Sequence, residues 1–276
     1  MSTFALRERD FAFLGAGIIA GVFIERLISF GVPPGKIIAS DALPEKAQAL
    51  AERLGIRAAR DNREAAAGGG IVFLAVPPNA VKGVLEEVRD ALRPGGLIVS
   101  LAAAVRTEWI EQSAGGACKV VRVIPNTPSL VGAGMNPHCL GRHVTEADLP
   151  LVDALLAVFG DTVRLGEDQM ETITALTAVG PTYVFPVMEA LRDAAVAAGL
   201  DRETAQRAAA QTVAGAARLV LETGRPPEEL KQMIGTRTLA EDPARELFRE
   251  AFESAFSRLK TSVAKLGAAW QPGQSG

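Results

Sequence analysis

The sequence predicts a doubly wound α/β domain over residues 1–166, followed by an all-α domain over residues 167–276. Three observations predict it. From Phe11 to Gly166, short apolar runs alternate with amphipathic stretches of helical period. From Gln169 onward no run reads as a strand, and the chain turns rich in Ala, Leu, Glu and Arg. Where the first strand meets the first helix sits a pair of glycines, Gly15 and Gly17.

In chain order, residues 11–15, 36–41, 71–76, 97–101 and 120–124 read as buried strands. Between them, residues 18–30, 44–54 and 79–92 carry helical periodicity, closed by Gly31, by Gly55 and by the Pro94–Gly96 turn. Strand, helix, strand in repetition means parallel pairing with right-handed crossovers and helices on both faces. A helix over 146–159 leads to a strand over 161–165 that extends the sheet. Residues 170–200, 202–223, 227–233 and 243–266 read as helices, with Asp201 as an N-cap. The alanine-rich faces at 194–198 and 205–217 suit close helix packing, within the chain or between subunits.

Composition excludes several classes of function. A net charge of −3 over 276 residues leaves no basic footprint for nucleic acid or anionic membrane. No apolar stretch approaches the roughly 20 residues that span a bilayer. The first ten residues lack the pattern of a secretory signal, and two cysteines, Cys118 and Cys139, make no disulfide framework. The expectation is a cytoplasmic protein acting on a small molecule.

Gly15-Ala16-Gly17-Ile18-Ile19-Ala20 follows an apolar strand and opens a helix. The first glycine serves a tight turn, and the second lets backbone approach a pyrophosphate. The small Ala20 allows strand–helix packing, and the amides of Ile18 and Ile19 at the helix start face the anion. Asp41, at the end of the second strand, stands where a carboxylate accepts the adenosine ribose hydroxyls. A Rossmann-type site for NAD or NADP is expected. Asp41 favours NAD, although Lys46 and Arg60 are near enough in sequence to meet a 2′-phosphate.

The stretch Arg122-Val123-Ile124-Pro125-Asn126-Thr127-Pro128-Ser129-Leu130-Val131-Gly132-Ala133-Gly134-Met135 resembles the pyrroline-5-carboxylate reductase family. So do Gly180-Pro181-Thr182-Tyr183-Val184-Phe185, Ala197-Ala198-Gly199-Leu200-Asp201-Arg202-Glu203 and Gln211-Thr212-Val213-Ala214-Gly215-Ala216-Ala217, in family order across nearly the whole chain. The resemblance implies a helical domain that interlocks two subunits into a dimer or larger homo-oligomer. It also implies hydride transfer from NAD(P)H to the C=N carbon of a small cyclic imine acid, typically giving proline. Residue by residue, the family's ribose-contacting Asn falls on Asn62. Its Ala-Val-Lys-Pro stretch falls on Ala75-Val76-Pro77-Pro78, with Pro77 in place of Lys, and its Ala-Ala-Gly stretch beside the nicotinamide falls on Ala102-Ala103-Ala104. Many members carry Asn-Arg after the second strand, where this chain has Asp41-Ala42. The family's Ser-Pro-Gly-Gly-Thr-Thr substrate loop is rewritten here as Ile234-Gly235-Thr236-Arg237-Thr238-Leu239.

Imine reduction asks little acid–base work of a protein. A protonated C=N is already electrophilic, so alignment with the nicotinamide at about 3–3.5 Å is the main task. Arg237 is the candidate anchor for a substrate carboxylate, with Thr236 and Thr238 as supporting groups or proton relays. Thr177 and Thr182 read as helix-start caps. For Asn126, shaping the turn after the last parallel strand and facing the nicotinamide both stay open. His138, Cys139 and His143 match no zinc spacing, so no metal is expected. An alcohol dehydrogenase of the β-hydroxyacid type needs a lysine on the helix that Gly180 opens, and residues 180–200 contain none. Two alternatives remain: reduction of a different cyclic imine, and dinucleotide binding without turnover.

Overall fold

The computed structural model describes residues 4–116 and 118–270. The strands are β1 (Phe11–Leu14), β2 (Ile37–Ser40), β3 (Arg57–Ala58), β4 (Ile71–Leu74), β5 (Leu97–Ser100), β6 (Lys119–Val123), β7 (Gly134–Leu140) and β8 (Gly160–Arg164). They form one sheet in the order β3-β2-β1-β4-β5-β6-β7-β8. The helices are α1 (Phe4–Arg7), α2 (Ile18–Ser29), α3 (Pro44–Leu54), α4 (Asn62–Gly68), α5 (Val81–Val88), α6 (Thr107–Ser113) and α7 (Leu149–Leu156). After them come α8 (Met170–Thr177), α9 (Pro181–Ala197), α10 (Arg202–Thr223), α11 (Pro227–Leu230) and α12 (Glu241–Ala269).

The chain makes two compact units, one running to Ala178 and taking in Ala255 onward, the other Val179–Ser254. In the first unit, every residue of β1, β2, β4 and β5 is buried, as strands covered on both faces must be. Alternation sorts them into two cores. Phe11 and Phe13 join Phe23, Phe73 and Phe159 on one face, with Phe13 stacked on Phe73 at 4.5 Å and Phe23 on Phe159 at 3.8 Å. Ala12 and Leu14 join Ile38, Leu74, Leu85 and Ile98 on the other. The chain reverses direction of crossover between β1 and β4, which opens a crevice at the carboxyl ends of these strands.

The structure departs from the sequence reading at the far edge. The expected all-parallel order ends at β6, because β7 returns antiparallel to it, pairing Arg122 with Cys139 and Val123 with His138. The connection between β6 and β7 is a short 3-10 turn over Thr127–Val131, too short for a crossover, so an antiparallel return is the available pairing. Pro137 within the segment masked its strand character, and β8 then joins β7 rather than β6. The expected helix over 170–200 is two helices. Pro181 offers no N–H to the carbonyl of Thr177, four residues before it, so α8 ends there.

The second unit contains α9, α10, α11 and the start of α12. Asp201 caps α10 by accepting the Thr204 amide at 2.9 Å, as expected. Neither α9 nor α12 has a single buried residue, and α10 buries only Ala205 and Ala209. Phe185, Leu191, Leu221, Leu239, Leu247 and Phe248 are all exposed. Among the described residues, no helix is long and apolar enough to cross a membrane.

Candidate functional site

At the crevice, a cavity of about 620 Å³ is bounded by the loops that follow β1, β2, β4 and β5. Gly15 bonds through its amide to the Ser40 carbonyl at 2.8 Å, and Ala75 to the Leu14 carbonyl at 2.8 Å, so the loops leave the sheet in register. Gly15 has φ +106°, and a Cβ there would lie 2.6 Å from the Ala75 oxygen; no other residue fits. Gly17 is the N-cap of α2, no side chain caps it, and a Cβ at Gly17 would meet nothing within 4 Å. Gly17 and Ile19 line the cavity, so the uncapped start of α2 stands at its wall, the arrangement that receives an anionic bridge such as a pyrophosphate.

The carboxylate of Asp41 organises the opposite rim. Its Oδ2 accepts the Ala16 amide at 2.8 Å and its Oδ1 the Leu43 amide at 3.0 Å, which ties the glycine loop to the turn before α3. A carboxylate has about four acceptor sites, so two stay free for hydroxyls. Asp41 does not cap α3 itself; Leu43 occupies that position. Asn62 opens α4, which Asp61 caps through the Glu64 amide at 2.7 Å. Its amide is fixed between Ser40 Oγ, which donates to Asn62 Oδ1 at 2.8 Å, and Glu87 Oε2, which accepts from Asn62 Nδ2 at 2.8 Å.

Of the residues the sequence singles out, Gly15, Gly17, Ile19, Asp41, Asn62, Ala75, Val76, Pro77, Ala102 and Ala103 line this one cavity. Ile18 is 86% exposed beside it and lines an adjoining groove, while Ala20 is buried where α2 packs on the sheet. Asn126 does not line it. Its Nδ2 donates to the Thr177 carbonyl that Pro181 leaves free, at 3.1 Å, and its Oδ1 accepts the Met135 amide at 3.2 Å. Lys46 lines the cavity, whereas Arg60 is spent on Glu64 at 2.9 Å. Pro78 also lines the wall, as do Leu43, Ala80 and Val84, which were not foreseen; the signal for Leu43 and Ala80 is position, shortly beyond the carboxyl ends of β2 and β4.

Ala104, in place of a glycine in the resemblance, holds φ +64°, an uncommon left-handed conformation for a residue with a Cβ. Thr236, Arg237 and Thr238 lie in the second unit, all exposed, with Arg237 Nη1 donating to Gln232 Oε1 at 2.7 Å. Thr177 and Thr182 are not N-caps: their hydroxyls donate to the carbonyls of Ile173 at 2.9 Å and Val179 at 2.7 Å. His138 and Cys139 sit buried on β7, and among the described residues no cluster of His, Cys, Asp or Glu is arranged to hold a metal.

One polar cluster escaped the sequence reading. Arg122 on β6, 1% exposed, pairs with Glu167 and with Glu171, the latter at 3.1 Å. Glu167 also accepts the Thr107 amide at 3.0 Å and hydroxyl at 2.7 Å. Burial pushes the Glu167 carboxyl up, but the Arg122 guanidinium and the two Thr107 donors outweigh it, so its pKa lies below the usual range.

A doubly wound sheet with a glycine-loop cavity at its switch point and a helical second unit defines a nicotinamide-dinucleotide oxidoreductase. A family profile described as pyrroline-5-carboxylate reductase dimerisation matches residues 167–262, and the pyrroline-5-carboxylate reductase of Corynebacterium melassecola is 36% identical over 260 residues, covering 92% of this chain and 95% of that one. The chain belongs to the pyrroline-5-carboxylate reductase family. A second profile, described as NADP oxidoreductase, coenzyme F420-dependent, matches residues 10–104. The solved pyrroline-5-carboxylate reductase of Coxiella burnetii is 35% identical, with a TM-score of 0.80 over 92% of this chain and 98% of that one. The Plasmodium falciparum enzyme, solved with NADP bound, shares the fold at a TM-score of 0.82, 23% identity and coverage of 93% and 99%.

Proposed function

We propose that this protein reduces 1-pyrroline-5-carboxylate to proline, with residues 1–166 holding the dinucleotide and residues 167–276 recognising substrate and pairing subunits. The observation that supports this most is the convergence of Gly15, Gly17, Asp41, Asn62, Ala75 and Ala102 on one cavity at the mouth of the sheet, in a chain of this family. The dinucleotide, when bound, supplies the hydride. The residues of the chain supply placement. The first-turn amides of α2 receive the pyrophosphate, Asp41 accepts ribose hydroxyls, and the backbone at Ala102 and Ala103 bounds the nicotinamide end. Asp41 favours NADH, since its carboxylate repels a 2′-phosphate, and Lys46 on the same wall offsets only part of that repulsion. Arg237 anchors the substrate carboxylate, with Thr236 and Thr238 beside it, in place of a glycine-rich loop.

The helical unit works as a homodimer or larger assembly, since apolar side chains on its helices, Phe185, Leu191 and Leu247 among them, stay exposed. Two free, buried cysteines fit a reducing compartment, and we place the protein in the cytoplasm. The rewritten segment at 234–239 favours, as a second reading, a cyclic imine acid other than pyrroline-5-carboxylate. The test is cofactor oxidation with pyrroline-5-carboxylate, using NADH and NADPH in parallel. Turnover with NADH at higher kcat/KM is expected. Tight cofactor binding without turnover on this or any other cyclic imine acid would overturn the reading.

A further inference from the structure

A second cavity, of about 700 Å³, lies within the first unit between α6 and the end of α12. Arg106, Trp109 and Arg142 form one side, and Ala264, Ala268 and Trp270 the other. It is a built feature. The Trp109 and Trp270 rings stack at 5.9 Å, and Gly267 lets the Trp109 ring reach the α12 backbone, since a Cβ there would lie 3.2 Å from the ring. Lys82 Nζ donates to the Ala269 carbonyl at 2.9 Å, which fastens the helix end.

The charges lining it are unequally satisfied. Arg142 is ion-paired with Glu111, its Nε 3.0 Å from Oε2, while its amide donates to Glu111 Oε1 at 2.7 Å and its Nε to His143 Nε2 at 3.1 Å. Arg106 is less fully engaged. Its guanidinium lies 5.8 Å from the centre of the Trp109 ring, and its buried Nε makes no hydrogen bond. Its Nη1 stands 3.8 Å from Glu108 Oε1, beyond hydrogen-bond length. A cation with a spare Nε donor, an anion ion-paired to it at 3.8 Å without a hydrogen bond, and an apolar wall of Val263, Ala264 and Ala268 form the complement of a small zwitterion with an apolar body. The lining contains no cysteine, histidine or aspartate, so it is equipped to bind rather than to react.

We propose that this cavity binds a small α-amino acid with an apolar side chain, its carboxylate on Arg106 and its ammonium on Glu108. The site has its own reporter. The sequence holds two tryptophans, Trp109 and Trp270, and both line the cavity, so the protein's tryptophan emission reports on it alone. The experiment titrates the whole protein with L-proline, L-valine and L-leucine, to on the order of tens of millimolar. No cofactor or imine is present, so the outcome is independent of the reaction proposed above.

The expected result is a saturable emission change with at least one of the three, absent with its methyl ester. Arg106→Met, which keeps the packing on Trp109, should weaken it at least tenfold. Ala268→Leu, at an exposed position of α12, should block it without touching the charges and carries the test should Arg106→Met fail to fold. No saturable response to any of the three amino acids would overturn the proposal. So would an ester that binds as well as the acid, or folded variants that respond as the wild type does.

Discussion

The two units bury their apolar residues in opposite ways. Around β1 and β4 the first unit closes two cores on itself, with Phe11, Phe13, Phe23 and Phe73 wholly inside. The second leaves Phe185, Leu191 and Phe248 exposed, on α9 and α12, neither of which has a buried side chain. A sheet covered on both faces can be completed by one chain. Long helices of mixed face cannot, and their unspent apolar surface is the physical demand for a second copy. The glycine-loop cavity belongs to the self-sufficient unit, and Arg237, which we propose as the substrate anchor, to the dependent one.

This contrast can be broken at its strongest point first. Phe185→Glu puts a charge into the exposed apolar face of α9 and should weaken self-association at least a hundredfold, read as a shift to monomer by sedimentation. The far-ultraviolet signature of the first unit should persist. A variant that stays fully assembled would show that another surface pairs the subunits.

Gly15→Val sharpens the other side. Its side chain would collide with the Ala75 carbonyl and force a left-handed conformation on a β-branched residue. Cofactor affinity should fall at least a hundredfold by titration of NADH fluorescence, with assembly unchanged.

Arg122→Met leaves Glu167 and Glu171 without their shared cation in the interior. Equilibrium denaturation should show a loss of about 3–5 kcal/mol, the scale for breaking one side of a buried pair. The loss should be independent of protein concentration, because the network lies wholly in the first unit.

The smallest effect expected is one of pH. Burial raises the Asp148 carboxyl, but hydrogen bonds from Lys119 and Thr145 outweigh it and hold the pKa at about 2, against an ordinary 3.8. A carboxyl depressed in the folded state stabilises the fold above its unfolded value and loses that contribution as pH falls through the folded one. Stability should therefore decline as pH drops from 3.8 toward about 2, and Asp148→Asn should flatten that part of the profile, measured by thermal unfolding across acid pH.

The legible parts of the chain were those where one residue type has one use. Gly15 at a turn, Asp41 at a strand end and the apolar run from Phe11 to Leu14 each carry their own physical reason; Gly15 and Asp41 line one cavity, and Phe11–Leu14 forms a fully buried strand. Strand β7 was hidden because Pro137 and Gly134 are loop residues in most settings and form a strand here only through pairing with β6 and β8. The short helices α4 and α6 span too few residues to show a period. The Arg122 network was out of reach for another reason. Its carboxylates lie 45 and 49 residues further along the chain, and only the fold brings them together. Asn126 shows a subtler limit, since its partner carbonyl is free only because Pro181 interrupts the helix that follows.

The most direct test of the division between the units is a steady-state comparison of wild type with Arg237→Ala, together with NADH affinity. The account predicts a KM for pyrroline-5-carboxylate raised at least tenfold, with cofactor affinity unchanged, because the anchor and the cofactor cavity belong to different units. An unchanged KM, or a loss of NADH binding equal to the loss of activity, would contradict it.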